Sequence, residues 1–214
     1  MNDSKGTARG GGMSRRAFLS GSGAVAAATA LGQPPDGPAK KAAGGDGAVA
    51  GAIASGPGSV QLELTVNGNK MNTSVEPRVT LLDALRNYLD VTGCKRVCDR
   101  GTCGACTVML DGKPVYSCSM LALEARGKTI KTAESLMASD GKLDPVPAAF
   151  ASCDAQQCGF CTPGFVVAMR AAFDKNPNAT PAEIEVGLSG NICRCGTYEQ
   201  MRDAVVQLCT KKGG

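Results

Sequence analysis

The sequence predicts a two-part α+β chain: a small strand–hairpin–helix–strand domain over residues 59–134, then an all-helical half over residues 135–214. Three observations carry that expectation. Apolar residues alternate with polar ones through Val60, Leu62, Leu64 and Val66, and again through Met71, Thr73 and Val75, the period of half-buried strands. After about Lys131 the alternation gives way to short segments bounded by helix start and stop signals. Residues 1–58 carry much of the glycine and no candidate core.

The first half follows in order. Asn67-Gly68 between the alternating runs marks a type I′ hairpin. Thr80 caps a helix that places Leu81, Leu82, Leu85 and Leu89 on one side. A cysteine-rich loop comes next. Strands are then expected at Thr107 to Leu110, at Val115 to Cys118 after an Asp111-Gly112 turn, and near Thr129-Ile130. In the second half helices are expected at Pro145 to Ala155, Pro163 to Lys175, Pro181 to Leu188 and Tyr198 to Cys209. Thr180-Pro181-Ala182-Glu183 supplies a cap, a proline at the first helical position and a Glu three residues after the cap.

Composition narrows the chemistry. The chain has 214 residues, a net charge of +4, few aromatics and no basic stripe interleaved with them, so nucleic-acid binding has little support. It contains no histidine. That excludes a Rieske centre, a His-ligated haem and any His general base. Eleven cysteines must therefore carry whatever metal or redox chemistry exists.

The N-terminus reads as an export leader. Ser14-Arg15-Arg16-Ala17-Phe18-Leu19 sets an arginine pair before the Ala- and Gly-rich run from Ala24 to Leu31, which is too short and too weakly apolar for stable membrane insertion. The pattern resembles a twin-arginine signal, used by proteins exported already folded, and so implies a periplasmic location. Cleavage after Ala30, Ala50 or Ala54 is compatible with the sequence, and a flexible linker is expected from Gly32 to Gly58.

Eight cysteines fall into two quartets. Cys98-x4-Cys103-x2-Cys106, with Cys118 further on, has the spacing of plant-type [2Fe–2S] ferredoxins. The loop must curl tightly to bring three thiolates to one face, and Gly101 and Gly104 stand where positive φ is needed. Lys95, Arg96 and Arg100 flank it, either as a solvated basic rim or as an offset to cluster charge. The second quartet is Cys158-x2-Cys161 with Cys193-x-Cys195, both pairs at helix starts, where free N–H groups suit an anionic cluster. Tetrathiolate zinc is the alternative for either quartet, and an exported zinc-stabilised interaction module the alternative function. Disulfides fit poorly, because close neighbours such as Cys193 and Cys195 do not readily bridge each other. Of the remaining cysteines, Cys94 lies near enough to the first quartet to compete as a ligand. Cys153 and Cys209 read as small buried residues, and a disulfide among the three stays open.

At these motifs the chain resembles a known family. Gly93-Cys94-Lys95, Cys98-Asp99-Arg100-Gly101-Thr102-Cys103-Gly104-Ala105-Cys106-Thr107-Val108 and Ser117-Cys118 are similar to the N-terminal cluster loop of the molybdenum hydroxylases, the xanthine dehydrogenase and aldehyde oxidoreductase group. Gln157-Cys158-Gly159-Phe160-Cys161-Thr162-Pro163-Gly164 and Ser189-Gly190-Asn191-Ile192-Cys193-Arg194-Cys195-Gly196 resemble the family's helical cluster domain. The likeness runs from about Leu62 to Leu208.

The resemblance implies a β-grasp ferredoxin domain followed by a four-helix bundle, each holding one [2Fe–2S] cluster. It implies an electron-transfer subunit with no catalytic residue of its own, closest to the small subunit of a periplasmic aldehyde oxidoreductase. Isoquinoline-, nicotinate- and carbon monoxide dehydrogenase-type small subunits are the alternatives. Partners would be a large molybdopterin subunit and a middle FAD subunit, a heterotrimer. Electrons would run from molybdenum through the cluster of Cys158, Cys161, Cys193 and Cys195 to that of Cys98, Cys103, Cys106 and Cys118, and on to FAD or another acceptor. Gln157 matches a glutamine that touches the pterin, and Cys195 belongs to the cluster on the pterin side.

Overall fold

A computed structural model describes residues 56–137 and 140–210. The arginine-pair leader and most of the linker lie outside the described residues.

A five-stranded sheet forms first. β1 (Val60–Val66) and β2 (Asn69–Val75) make an antiparallel hairpin whose turn residues, Asn67 and Gly68, both take positive φ, as the Asn-Gly pair requires. β3 (Thr107–Leu110) and β4 (Lys113–Tyr116) make a second hairpin, and β5 (Thr129–Lys131) lies between the two. The strand order is β2-β1-β5-β3-β4, with β5 parallel to β1 and antiparallel to β3. Thr80 accepts a hydrogen bond from the Asp83 amide and starts α1 (Leu81–Asp83), which continues as a π-helical turn over Ala84–Tyr88. This helix buries Leu81, Leu82 and Leu85 against Leu62, Leu64, Val66, Val108 and Ile130. Each such side chain contributes roughly 1.5–3 kcal/mol.

Four helices follow: α2 (Pro145–Ser152), α3 (Thr162–Lys175), α4 (Pro181–Leu188) and α5 (Tyr198–Thr210). Asp144 caps α2 through the Val146 amide, and Thr180 and Glu183 close a reciprocal capping box on α4. α3 is the central helix. It buries Phe165, Val166, Val167, Met169, Ala171 and Phe173 around most of its circumference, because β3, α2 and α4 all pack on it. Its contact with β3 also explains why every residue of that strand is buried. Val108 and Leu110 join the sheet core, while Met109 joins the helical core.

Three expectations shift. The second hairpin strand ends at Tyr116, and Ser117–Ser119 form a 3₁₀ turn, so Cys118 comes from a turn rather than from a strand. The helix expected to reach Ala155 stops at Ser152, and Asp154 takes positive φ. The leucine-rich helix is α-helical for only its first residues. Among the described residues no helix is long and apolar enough to cross a membrane.

Candidate metal centres

The first quartet is cupped by one curled loop and the turn after β4. Asp99, Gly101 and Gly104 all take positive φ, folding the loop around the space its thiols face. The Gly101 amide points at Cys118 Sγ at 3.2 Å and the Thr102 amide at Cys98 Sγ at 3.4 Å. Ser117 hydrogen-bonds the Cys106 carbonyl through both its amide and its hydroxyl, at 3.4 and 2.7 Å, and so sets Cys118 beside Cys106. The thiols meet in pairs: Cys98 with Cys103, and Cys106 with Cys118.

Their electrostatics differ. Burial pushes the Cys106 thiol up to about 12 against the pull of the Cys118 amide. Burial would also raise Cys98, but the amides of Arg100, Thr102 and Cys103, with the Cys103 thiol, bring it down to about 6. The flanking cations are engaged locally. Arg96 pairs with Asp83 and Asp99, Arg100 reaches the Cys98 carbonyl, and Lys95 the Thr92 carbonyl.

The second quartet joins two loops that each lead into a helix. Cys158 and Cys161 precede α3, and Cys193 and Cys195 precede α5. Here too the thiols pair, Cys161 with Cys193 and Cys158 with Cys195. Burial and the Cys193 thiol hold Cys161 up at about 12. Burial works against Cys193 as well, but the Thr197 hydroxyl and amide, the Cys161 thiol and the Gly196 amide lower it to about 7. The Phe160 amide lowers Cys158. Thr197 Oγ1 lies 3.2 Å from Cys193 Sγ, and the Cys193 amide donates to Tyr198 Oη at 2.7 Å. Cys158, Cys195 and Gln157 are exposed, beside half-exposed Phe160 and Ile192.

Both quartets fit a tetrathiolate [2Fe–2S] group. Such a cluster takes two thiolates per iron, and the thiols stand two by two. Backbone amides aim at the sulfurs, which suits an anionic group. Thr162 Oγ1, on the residue after Cys161, is the buried side-chain oxygen left without a protein partner among the described residues.

The other cysteines turn elsewhere. Cys94 is buried in the sheet core with its thiol toward the Val91 carbonyl, and burial and Glu134 raise it to about 11. Cys153 donates to Gln207 and Cys209 to the Ala179 carbonyl, and among the described residues no two cysteines form a disulfide.

Three residues that sequence reasoning gave no role connect the two loops. Ile192 donates its amide to the Cys103 carbonyl at 3.0 Å, Asn191 Nδ2 donates to the Gly104 carbonyl at 3.0 Å, and Tyr116 Oη donates to the Gly190 carbonyl at 2.8 Å. The sole sequence-level sign was an Asn two residues before Cys193, which no periodicity marks as buried.

Known proteins match the chain along this whole region. Residues 64–138 match the model of a 2Fe-2S iron-sulfur cluster binding domain, and residues 132–206 that of a [2Fe-2S] binding domain. The nicotine 6-hydroxylase small subunit of Paenarthrobacter nicotinovorans is 44% identical over 69% of this chain and 88% of its own length. The aldehyde oxidoreductase iron-sulfur-binding subunit PaoA of Escherichia coli (strain K12) is 38% identical over 70% of this chain and 71% of its own. Among solved structures, a chain of quinoline 2-oxidoreductase from Pseudomonas putida 86 superposes with a TM-score of 0.68 at 38% identity, covering 72% of this chain and 95% of that one.

Proposed function

The chain belongs to the iron–sulfur small subunits of the molybdenum hydroxylase family and serves an oxidoreductase complex in electron transfer, and from that premise we propose that it is the periplasmic relay of an aldehyde-oxidising complex. In this reading Cys98, Cys103, Cys106 and Cys118 hold one [2Fe–2S] cluster, and Cys158, Cys161, Cys193 and Cys195 hold the other. The pairing of the thiols two by two, under aimed backbone amides, is the observation that carries it. When bound, each cluster accepts and releases one electron, at a potential set by hydrogen bonds to sulfur and by exposure.

The protein's part is to hold charge and to exclude or admit solvent. Gly101 and Thr102 direct amides at the first quartet, and Phe160, Gly196 and Thr197 at the second. Exposed Cys158 and Cys195, with Gln157, Phe160 and Ile192 around them, form the face on which a molybdopterin-bearing large subunit docks, Gln157 against the pterin. A middle FAD subunit completes a heterotrimer and takes electrons from the other quartet. Likeness to PaoA and the arginine-pair leader support an aldehyde substrate and twin-arginine export.

A second reading has an observation of its own. The nicotine and nicotinate dehydrogenase-type subunits are 43–45% identical over the shared region, which favours oxidation of a nitrogen heterocycle on the partner subunit. The matches to iron–sulfur domains do not favour the zinc module.

Copurification with the partner subunits, followed by molybdenum and flavin analysis, tests the assembly. Bleaching of the visible cluster absorbance by aldehydes, and not by nicotinate or quinoline, is the expected result, and the reverse selects the second reading. Replacement of Arg15 and Arg16 by Lys should retain the protein in the cytoplasm, and unchanged export would refute the leader assignment.

A further inference from the structure

The second hairpin, α3 and α4 leave a groove of about 830 Å³ between them, and none of the eight clustered cysteines lines it. The hollow exists because its floor is built from small side chains. Ala168, Ala171 and Ala172 stand on successive turns of α3 and line the groove, while Met169 and Phe173 turn into the helical core. On the α4 side Val186 lines it and is 73% exposed, although apolar. The volume falls within the roughly 300–1,000 Å³ of small-molecule sites.

Charge at the groove has one sign to spare. Lys175 continues the α3 face one turn beyond Ala171, and Lys113 stands on the hairpin wall. Among the described residues neither lysine takes part in an ion pair. Glu183, the carboxylate among the lining residues, is already held by the Thr180 amide and hydroxyl at 2.7 and 2.9 Å. An apolar floor with unanswered cations beside it complements a ligand that is apolar along its body and anionic at one end.

The hairpin wall also argues against an added peptide strand. β4 is an edge strand. Leu110 and Lys113 flank the two-residue turn as a hydrogen-bonded pair, so the next residue, Pro114 opposite Met109, is one whose amide would face outward. Proline has no amide hydrogen to offer there. The open edge beside the groove lacks the donor that strand addition needs first.

We infer that this groove is a binding site for a free amphipathic monocarboxylate. The apolar body lies over Ala168, Ala171 and Ala172, and the carboxylate meets Lys175, with Lys113 as the second cation. Oxidation of an aldehyde yields a carboxylate, so the product of the reaction proposed above belongs to the same ligand class. The site itself stands independently of that reading and of cluster occupancy.

Octanoate titrated into the purified full chain at low ionic strength, followed by calorimetry, tests the proposal. One octanoate should bind per chain. Acetate lacks the apolar body and octanol the charge, and each should bind at least about tenfold more weakly. Lys175→Ala should weaken octanoate about fivefold, and Lys175→Ala with Lys113→Ala about tenfold, to the level of octanol. Added salt should weaken octanoate and leave octanol unmoved. Ala172→Leu should fill the floor and abolish binding of both; if that variant fails to fold, the lysine variants decide. Absence of saturable octanoate binding, equal affinity for octanol, or unaltered affinity in the double lysine variant overturns the site. So do two other occupants. A dimer of the unliganded chain that Val186→Asp dissolves, seen by sedimentation, gives the groove to a second copy. Loss of octanoate binding in the copurified complex gives it to a partner subunit.

Discussion

The two thiol quartets solve the same problem in different ways. The first is mostly local: three of its cysteines fall within one curled loop, and the fourth is returned by a tight hairpin. The second is non-local. Its pairs sit on loops before α3 and α5, separated in sequence by α3 and α4, and meet only because the helices pack. Exposure differs as well, since Cys106 and Cys118 are buried whereas Cys158 and Cys195 are open to solvent. A loop-built site depends on its own backbone turns. A helix-built site depends on the core beneath it, and offers its open edge to a partner.

The largest effect that would sharpen this contrast comes from the ligands. Cys106→Ser should remove the first cluster and about half of the iron and sulfide, and leave the second, and Cys193→Ser should do the converse. Loss of both clusters from either change, by EPR, would break the claim of independent sites. Next comes the core. Phe173, buried in the helical core, should cost about 3–5 kcal/mol on truncation to Ala, seen in denaturant unfolding. The helical-domain EPR signal should broaden or vanish before the other.

Cys94 gives a smaller, pH-dependent effect. Its thiol stands at about 11 in the fold against an ordinary 9.0, because burial and then Glu134 disfavour the thiolate. The unfolded chain therefore loses this proton as pH rises through 9 while the folded chain keeps it until about 11. This residue's contribution is full below pH 9 and falls between pH 9 and 11, by up to ~1.4 kcal/mol per unit. Cys94→Ala should flatten the alkaline loss of stability and leave both cluster signals unaltered. An equally steep loss in the variant would contradict the assignment. Smallest is the α4 cap: Thr180→Ala should destabilise by ~1 kcal/mol with both clusters retained.

Much of this was legible in the sequence because the signals are local. The Asn67-Gly68 and Asp111-Gly112 turns, the Thr180 capping box and the positive φ of Gly101 and Gly104 each follow from residues a few positions apart. The spacing of the cysteines marked both quartets. What stayed illegible depends on packing between layers. Cys118 emerges from a 3₁₀ turn because Ser117 bonds back to Cys106, and no pattern along the chain reports that contact. The π-helical stretch after Asp83 and the all-buried β3 reflect what covers them, not their own propensities. Asn191 and Tyr116 looked like ordinary polar and aromatic residues, because their partners lie 87 and 74 positions away.

The central claim is that both quartets hold iron–sulfur clusters, and metal analysis with EPR on the purified full chain tests it most directly. About four iron and four acid-labile sulfides per chain, with two distinguishable signals on reduction, is the result the account predicts. A colourless protein with near-stoichiometric zinc and no reduced-state signal would contradict it.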